Sequence, residues 1–446
     1  MVVSCWLLVV SCWLLRDVRG FCKIFWLEVT ALWRSKTLAM LAVASVVWML
    51  ALPFLATGDG TPEGARELYI HYSLGGVFAL LVVSLLASAT GSLARERAEK
   101  RLALTMVRPV RYSLIVLAKG CALTLSGALV LALACAALPL STFVSLGRPC
   151  RHVLPPVLPS VREEAKVMYE AFMANPETPE AVRKAKRETV LRLLENKAVD
   201  RYETIRTNET ASWRFDVPED ETEGLAVRLR FAGQMDSRQD LVGTFRLGEL
   251  EGVVSNITQA VLEVDLSSSR DRNVASPLNK ENNPPLLSFR NEGKTAVMMR
   301  PRQDIELLLP ADAFGWNLVR AYVELVSLLA LMIGFGLFLS ASLGRPVALF
   351  VAMVVLILGE MSPSVVSQYA DEFGAGLADR IGLALSRVAA EVTRPVSSLD
   401  PVARLAKDTC IERKEVARVV LLDLCLAPVL FALLAGFVLP RKSDAD

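Results

Sequence analysis

LVSLLALMIGFGLFLSASLG, residues 325–344, runs for twenty residues without a charge. At about 1.5 Å per residue a helix of this length reaches about 30 Å, the thickness of a bilayer's hydrocarbon core. A soluble core rarely needs so long a stretch free of charge, so this one reads as a membrane span. Working outward, the same pattern recurs at Thr37–Ala56, at about Tyr72–Ala94, at Gly120–Gly147, from Pro346 to about Pro363, and at about Val419–Pro440. The expected fold is an α-helical polytopic membrane protein with about six transmembrane helices. Three spans fall in a first membrane half, 37–147, and three in a second, 317–440.

Composition agrees. Of 446 residues, 53% are hydrophobic and only 22% charged, and the charges gather in blocks between apolar runs. Mean hydropathy is +0.41, above the usual soluble range. A net charge of +2 is too near zero to argue for nucleic acid as a partner. The eight cysteines have no CxxC spacing and only His71 and His152 to accompany them, so no metal site is expected. No GxxxxGK[ST], HExxH or GxSxG occurs. The chain cannot cradle nucleotide phosphates by the P-loop route, no catalytic set converges, and neither an enzyme nor a cofactor is expected.

Residues 1–36 read as an N-terminal extension and an interfacial helix. Residues 2–15 are a tandem repeat of VVSCWLL, either an interfacial extension or an artefact of the start codon. Over 20–35, Lys23, Thr30 and Arg34 lie among Phe21, Ile24, Phe25, Leu32 and Trp33. That mixture suits a helix in the plane of the interface, or else a basic flank to the first span.

Lysine and arginine near span ends set orientation. They crowd the segment before the first span, the loop after the second, the turn at Arg345, and the tail 441–446 with Arg441 and Lys442. With six spans all four segments share one side, which places both termini in the cytoplasm of a cell bounded by an inner (plasma) membrane. Residues 148–316 and the loop 364–417 are then external. The insert 148–316 is polar. It reads as helical over 160–206, and from Trp213 the period changes to two, as in Leu225, Val227, Leu229 and Phe231. Short alternating runs over 213–310 predict an antiparallel β-sandwich inside an α+β insert.

The cytoplasmic block RERAEKRLALTMVRPVRYSLIVLAKG, residues 95–120, holds the densest charge. Ala98, Leu102 and Met106 recur every four residues and share a helical face, and Glu96 and Lys100 form an i,i+4 pair. Arg108 precedes Pro109, which ends such a helix. The block is either a rigid element that relays a push from a cytoplasmic partner or a loop that only fixes topology.

Arg95-Glu96, then a hydrophobic stretch, then Arg108-Pro109-Val110-Arg111 and Lys119-Gly120 opening the third span, resemble the ABC type-2 transporter permease family. Gly344-Arg345-Pro346-Val347-Ala348 and Ser398-Leu399-Asp400-Pro401 also fit, and the stretch before the first span is similar to the family's interfacial elbow helix. The glycine often found after the Arg-Glu pair is replaced by Lys100 or Arg101, and the insert is foreign to most members. The resemblance implies a coupling segment, 95–119, that docks on a separate ATP-binding ABC ATPase subunit through Arg95, Glu96, Arg97, Leu102, Met106, Arg108 and Pro109. It also implies a second permease copy or paralogue and a setting among membrane lipids. Two acids, Glu360 and Asp423, lie in or near apolar runs and are candidates for intramembrane roles, or for interfacial placement. The competing reading is a membrane-anchored scaffold whose external domain binds an envelope ligand.

Overall fold

A computed structural model describes residues 19–34, 36–55, 62–98, 111–140, 144, 149–154, 156–157, 161–174, 190–191, 194, 203–215, 226–230, 242–247, 250–255, 261–265, 286–294, 296–301, 305–369 and 400–443. The chain divides into two compact units, Met1–Arg148 with Ala313–Asp446, and Pro149–Asp312.

The first unit is helical. Helix α1 covers 19–34, and Lys36, with φ 56°, turns the chain into α2, Thr37–Leu55. Then come α3, Pro62–Ala98, and α4, Tyr112–Ala137 with a closing 3-10 turn at Leu138–Leu140. Beyond the insert the unit continues with α6, Phe314–Ser342, and α7, Arg345–Tyr369. Two short helices, α8 (Pro401–Ala406) and α9 (Arg413–Val419), lead through a π-helical segment, Val420–Leu426, into α10, Ala427–Ser443. Pro428 explains the π-helical turn. It has no N–H to give the carbonyl of Leu424, and its ring needs the extra room.

Among the described residues, five helices are long and apolar enough to cross a membrane: Thr37–Leu55, Gly64–Glu96, Tyr112–Leu140, Phe314–Ser342 and Arg413–Val438. In α7 the described apolar portion is Arg345–Ile357. The chain is a multi-pass membrane protein by this measure. The helices begin earlier than the charge-free runs predict. Helix α3 starts at Pro62, α4 at Tyr112 and α6 at Phe314, so Lys119 and Glu324 lie inside helices rather than ahead of them. A charge ends an uncharged run, but it does not end a helix when the bundle gives it a buried place.

Helix α6 is the hub, packed against α3, α4 and α10. Lipid tails are as apolar as leucine, so close approach rather than water exclusion holds such helices together. Gly127 of α4 shows the fit: a Cβ there would lie 2.4 Å from Leu329 and 2.6 Å from Leu85. Cross-helix hydrogen bonds add to it. The Ser340 hydroxyl donates to the Thr90 carbonyl at 2.8 Å, and the Tyr322 hydroxyl to the Ala128 carbonyl at 3.2 Å.

The contacts fix the relative direction of the helices. The end of α3 meets the end of α6 at Thr90 and Ser340, and Gly91 lies against Arg345 at the start of α7. Gly436 near the end of α10 packs on Ser113 at the start of α4, and Lys119 of α4 bonds Glu96 at the end of α3. Arg95, Arg111 and Arg345 therefore gather at one end of the bundle, and all three are exposed.

The second unit carries the insert's strands: β1 Pro149–Leu154, β2 Thr204–Ile205, β3 Thr210–Arg214, β4 Ala226–Arg230, β5 Val242–Leu247, β6 Leu250–Ser255, β7 Val261–Asp265, β8 Leu286–Asn291, β9 Val297–Met298 and β10 Ile305–Ala313. Helix α5 spans Val161–Ala174. Two four-stranded sheets run β1-β10-β4-β7 and β3-β8-β5-β6, beside a β2-β9 pair. The period-two stretch lands as expected: Val227 and Leu229 are buried and pair with Leu307 and Ile305 of β10. Both sheets contribute to one apolar cluster that includes Trp213, Phe215, Phe245, Phe289 and Leu307. Burying each such side chain is worth about 1.5–3 kcal/mol. Strand structure begins earlier than Trp213, with Pro149–Leu154 inside the proline-rich stretch, and Thr204–Ile205 is strand within the span read as helical.

Candidate functional site

Among the described residues, the buried ion pairs of the bundle lie toward its two ends. At the end that carries Arg95 and Arg345, Lys119 sits in the third turn of α4 with its side chain 4% exposed. A buried ammonium is stable only if it is paired. Lys119 donates to two carboxylates, Glu28 of α1 and Glu96 of α3, the latter at 2.7 Å. Leu32, one turn past Glu28, packs on the bundle's apolar core, while Trp26 and Trp33 remain exposed. One lysine thus ties α1, the end of α3 and the start of α4 together. These helices bracket the segment 99–110.

The structure treats the predicted coupling residues unequally. Arg95 is exposed in the last turn of α3, and Glu96 points to Lys119. The side chain of Arg97, and Leu102, Met106, Arg108 and Pro109 altogether, lie outside the described residues, as does Lys100, the partner expected for Glu96. The described partner of Glu96 is Lys119, 23 residues away.

The opposite end begins about 45 Å away along α3, at Arg66. Arg66 is buried and paired with Asp408. Asp408 has φ 57° and follows the short helix α8, which opens on Asp400 accepting from the Ala403 amide at 2.9 Å, with Pro401 in the first turn. Asn317 of α6 holds the next residues with both halves of its amide. Its nitrogen donates to the Thr409 carbonyl at 2.8 Å, and its oxygen accepts from the Ile411 amide at 2.9 Å. Arg320 donates to the Ile411 carbonyl at 3.1 Å and to Cys410 Sγ at 3.4 Å. Arg404 and Glu415 pair at 2.5 Å between α8 and α9.

Asn317, Arg320 and Glu324 are spaced by three and four residues and share one face of α6. Glu324 is fully buried. Its neighbourhood was hidden in the sequence, because it stands one residue ahead of the uncharged run at 325–344. The two acids singled out there fare differently. Asp423 is buried in the π-helical segment. Glu360 lies on α7, and its side chain is outside the described residues.

Between these ends, α4, α6 and the terminal helix leave an apolar cavity of about 290 Å³, lined by Val116, Gly120, Thr124, Val326, Gly334 and Leu424 among others. Among the described residues no group of three or more His, Cys, Asp or Glu side chains is placed to hold a metal ion.

No family model, no curated protein and no solved structure matches this chain.

Proposed function

We propose that the chain is the membrane subunit of an ATP-binding-cassette transporter, in which a separate ATPase subunit drives substrate across the membrane, in the direction of export. In this reading six helices cross an inner membrane, with α7 completing the set, and both termini and the basic end of the bundle face the cytoplasm. The insert is an external β-sandwich. A second permease copy or paralogue completes the pore, with lipids around it.

The observation that carries the reading is the Lys119 junction. A coupling segment must be fastened to the elements it moves, and a loop that merely fixes topology needs no buried attachment. Here the segment 99–110 is flanked by Glu96 and Lys119, which are ion-paired to each other, and Lys119 is also paired to Glu28 on the helix before the first span. A push on the segment would reach α1, α3 and α4 together. The motif likeness of Arg95-Glu96, Arg108-Pro109 and Lys119-Gly120 to type-2 permeases adds to this reading, with Leu102 and Met106 supplying the apolar contact for the ATPase.

The test is copurification with a P-loop ATPase and measurement of ATP hydrolysis in reconstituted membranes. Arg95→Ala, Glu96→Ala and Arg108→Ala are each expected to abolish stimulation of hydrolysis while the helices remain folded. Stimulation and transport unchanged in all three would overturn the coupling role. An external domain that keeps full ligand binding and cellular function on an unrelated single-helix anchor would overturn the transporter reading as a whole.

A further inference from the structure

Glu324 lies ten residues, or about 15 Å, past the first residue of α6, on the face that packs into the bundle. It is fully buried, and among the described residues neither carboxyl oxygen has a hydrogen-bond partner. This separates it from its polar neighbours. Arg66 is committed to Asp408, Asn317 to Thr409 and Ile411, and Arg320 to Cys410 and Ile411. An ionised carboxylate without a donor is among the costliest groups to bury, and such a group takes up a proton instead.

The charges around it have a definite arrangement. Arg404 of α8 and Glu415 of α9 both bear on Glu324 electrostatically, with opposite effect, and they are paired with each other. Helix α3 contributes Arg66 at this end, and the π-helical segment contributes Asp423. Lys119 of α4 belongs to the far end, with Glu28 and Glu96. Arg345 of α7 is also at the far end, beside Gly91.

We propose that Glu324 is an intramembrane proton-binding site, held as the neutral acid while Arg404 is engaged by Glu415. If Arg404 leaves Glu415, it becomes the cation that can accompany the Glu324 carboxylate, so release of the proton and parting of α8 from α9 favour each other. The site stands apart from the coupling segment and does not depend on the transporter reading.

The test uses the intact chain in lipid nanodiscs and a lipophilic carbodiimide, which reacts with protonated carboxyl groups in apolar surroundings, with the adduct mapped by mass spectrometry. Glu324 is expected to be labelled, with labelling lost as pH rises, while the ion-paired Glu96 and Asp408 stay at background. Arg404→Gln, which removes the compensating cation, should move the loss to higher pH. Infrared difference spectra across the same titration should contain a neutral carboxylic-acid carbonyl band that Glu324→Gln removes. If Glu324 is labelled no more than Glu96 at every pH, and Glu324→Gln leaves the carboxylic-acid region unchanged, there is no proton site at this residue. Labelling of Glu324 that does not change with pH would overturn it equally.

Discussion

At the residue scale, the two ends of the bundle use opposite solutions to the same problem. Lys119 is a buried charge with more than enough opposite charge around it; Glu324 is a buried acid with none bonded to it among the described residues. Removing one partner of a buried ion pair strands the other, at a cost of about 3–5 kcal/mol. Lys119→Met should therefore lower the melting temperature in detergent sharply, because Glu28 and Glu96 are left facing each other. Adding Glu28→Gln and Glu96→Gln to the same chain should recover most of the loss. A Lys119→Met protein that melts like the parent would mean the three charges do not meet. Neither residue is conspicuous in the sequence. Lys119 reads as the last charge of a basic loop, and Glu324 as the last charge before a span, because only the fold reveals that both are already inside a helix.

At the scale of elements, polar side chains from α3 and α6 help hold the short segment 400–411 to the bundle. Asn317 replaces a strand neighbour for Thr409 and Ile411 by giving one hydrogen bond and accepting another. Asn317→Ala leaves the buried Ile411 amide without its partner, at about 1–3 kcal/mol, and frees the part-buried Thr409 carbonyl as well. Hydrogen exchange at the Ile411 amide should speed up accordingly while the amides of α4 keep their protection; an unchanged rate at Ile411 would show that the segment is held by other contacts. Gly127 makes a second element-scale prediction. Gly127→Val forces Leu329 and Leu85 aside, and overpacking of this kind costs about 1–3 kcal/mol. Thermal unfolding should register the loss, and a stability equal to the parent's would mean that α4 and α6 are less closely packed there. The spans were legible from their uncharged runs, as were most strands from their period of two. What stayed hidden were elements whose residues carry contrary signals, such as the strand Pro149–Leu154 within a proline-rich stretch and the π-helical turn ahead of Pro428.

At the scale of the whole molecule, coupling through the segment 99–110 depends on the direction in which each helix runs. The sequence placed the basic segments on one side by counting spans, and the contacts Thr90–Ser340, Gly91–Arg345, Glu96–Lys119 and Ser113–Gly436 bring α3, α6, α7, α4 and α10 to a common end by independent means. Coupling to a cytoplasmic ATPase requires that end to face the cytoplasm. The most direct measurement is labelling of single cysteines by a membrane-impermeant maleimide, in a cysteine-free chain, on intact and on opened cells. Arg95→Cys and Arg345→Cys should react only after the cells are opened. Asn208→Cys, at an exposed turn of the insert with φ 62°, should react from outside in both preparations. Reaction of Arg95→Cys and Asn208→Cys from the same side would contradict the account.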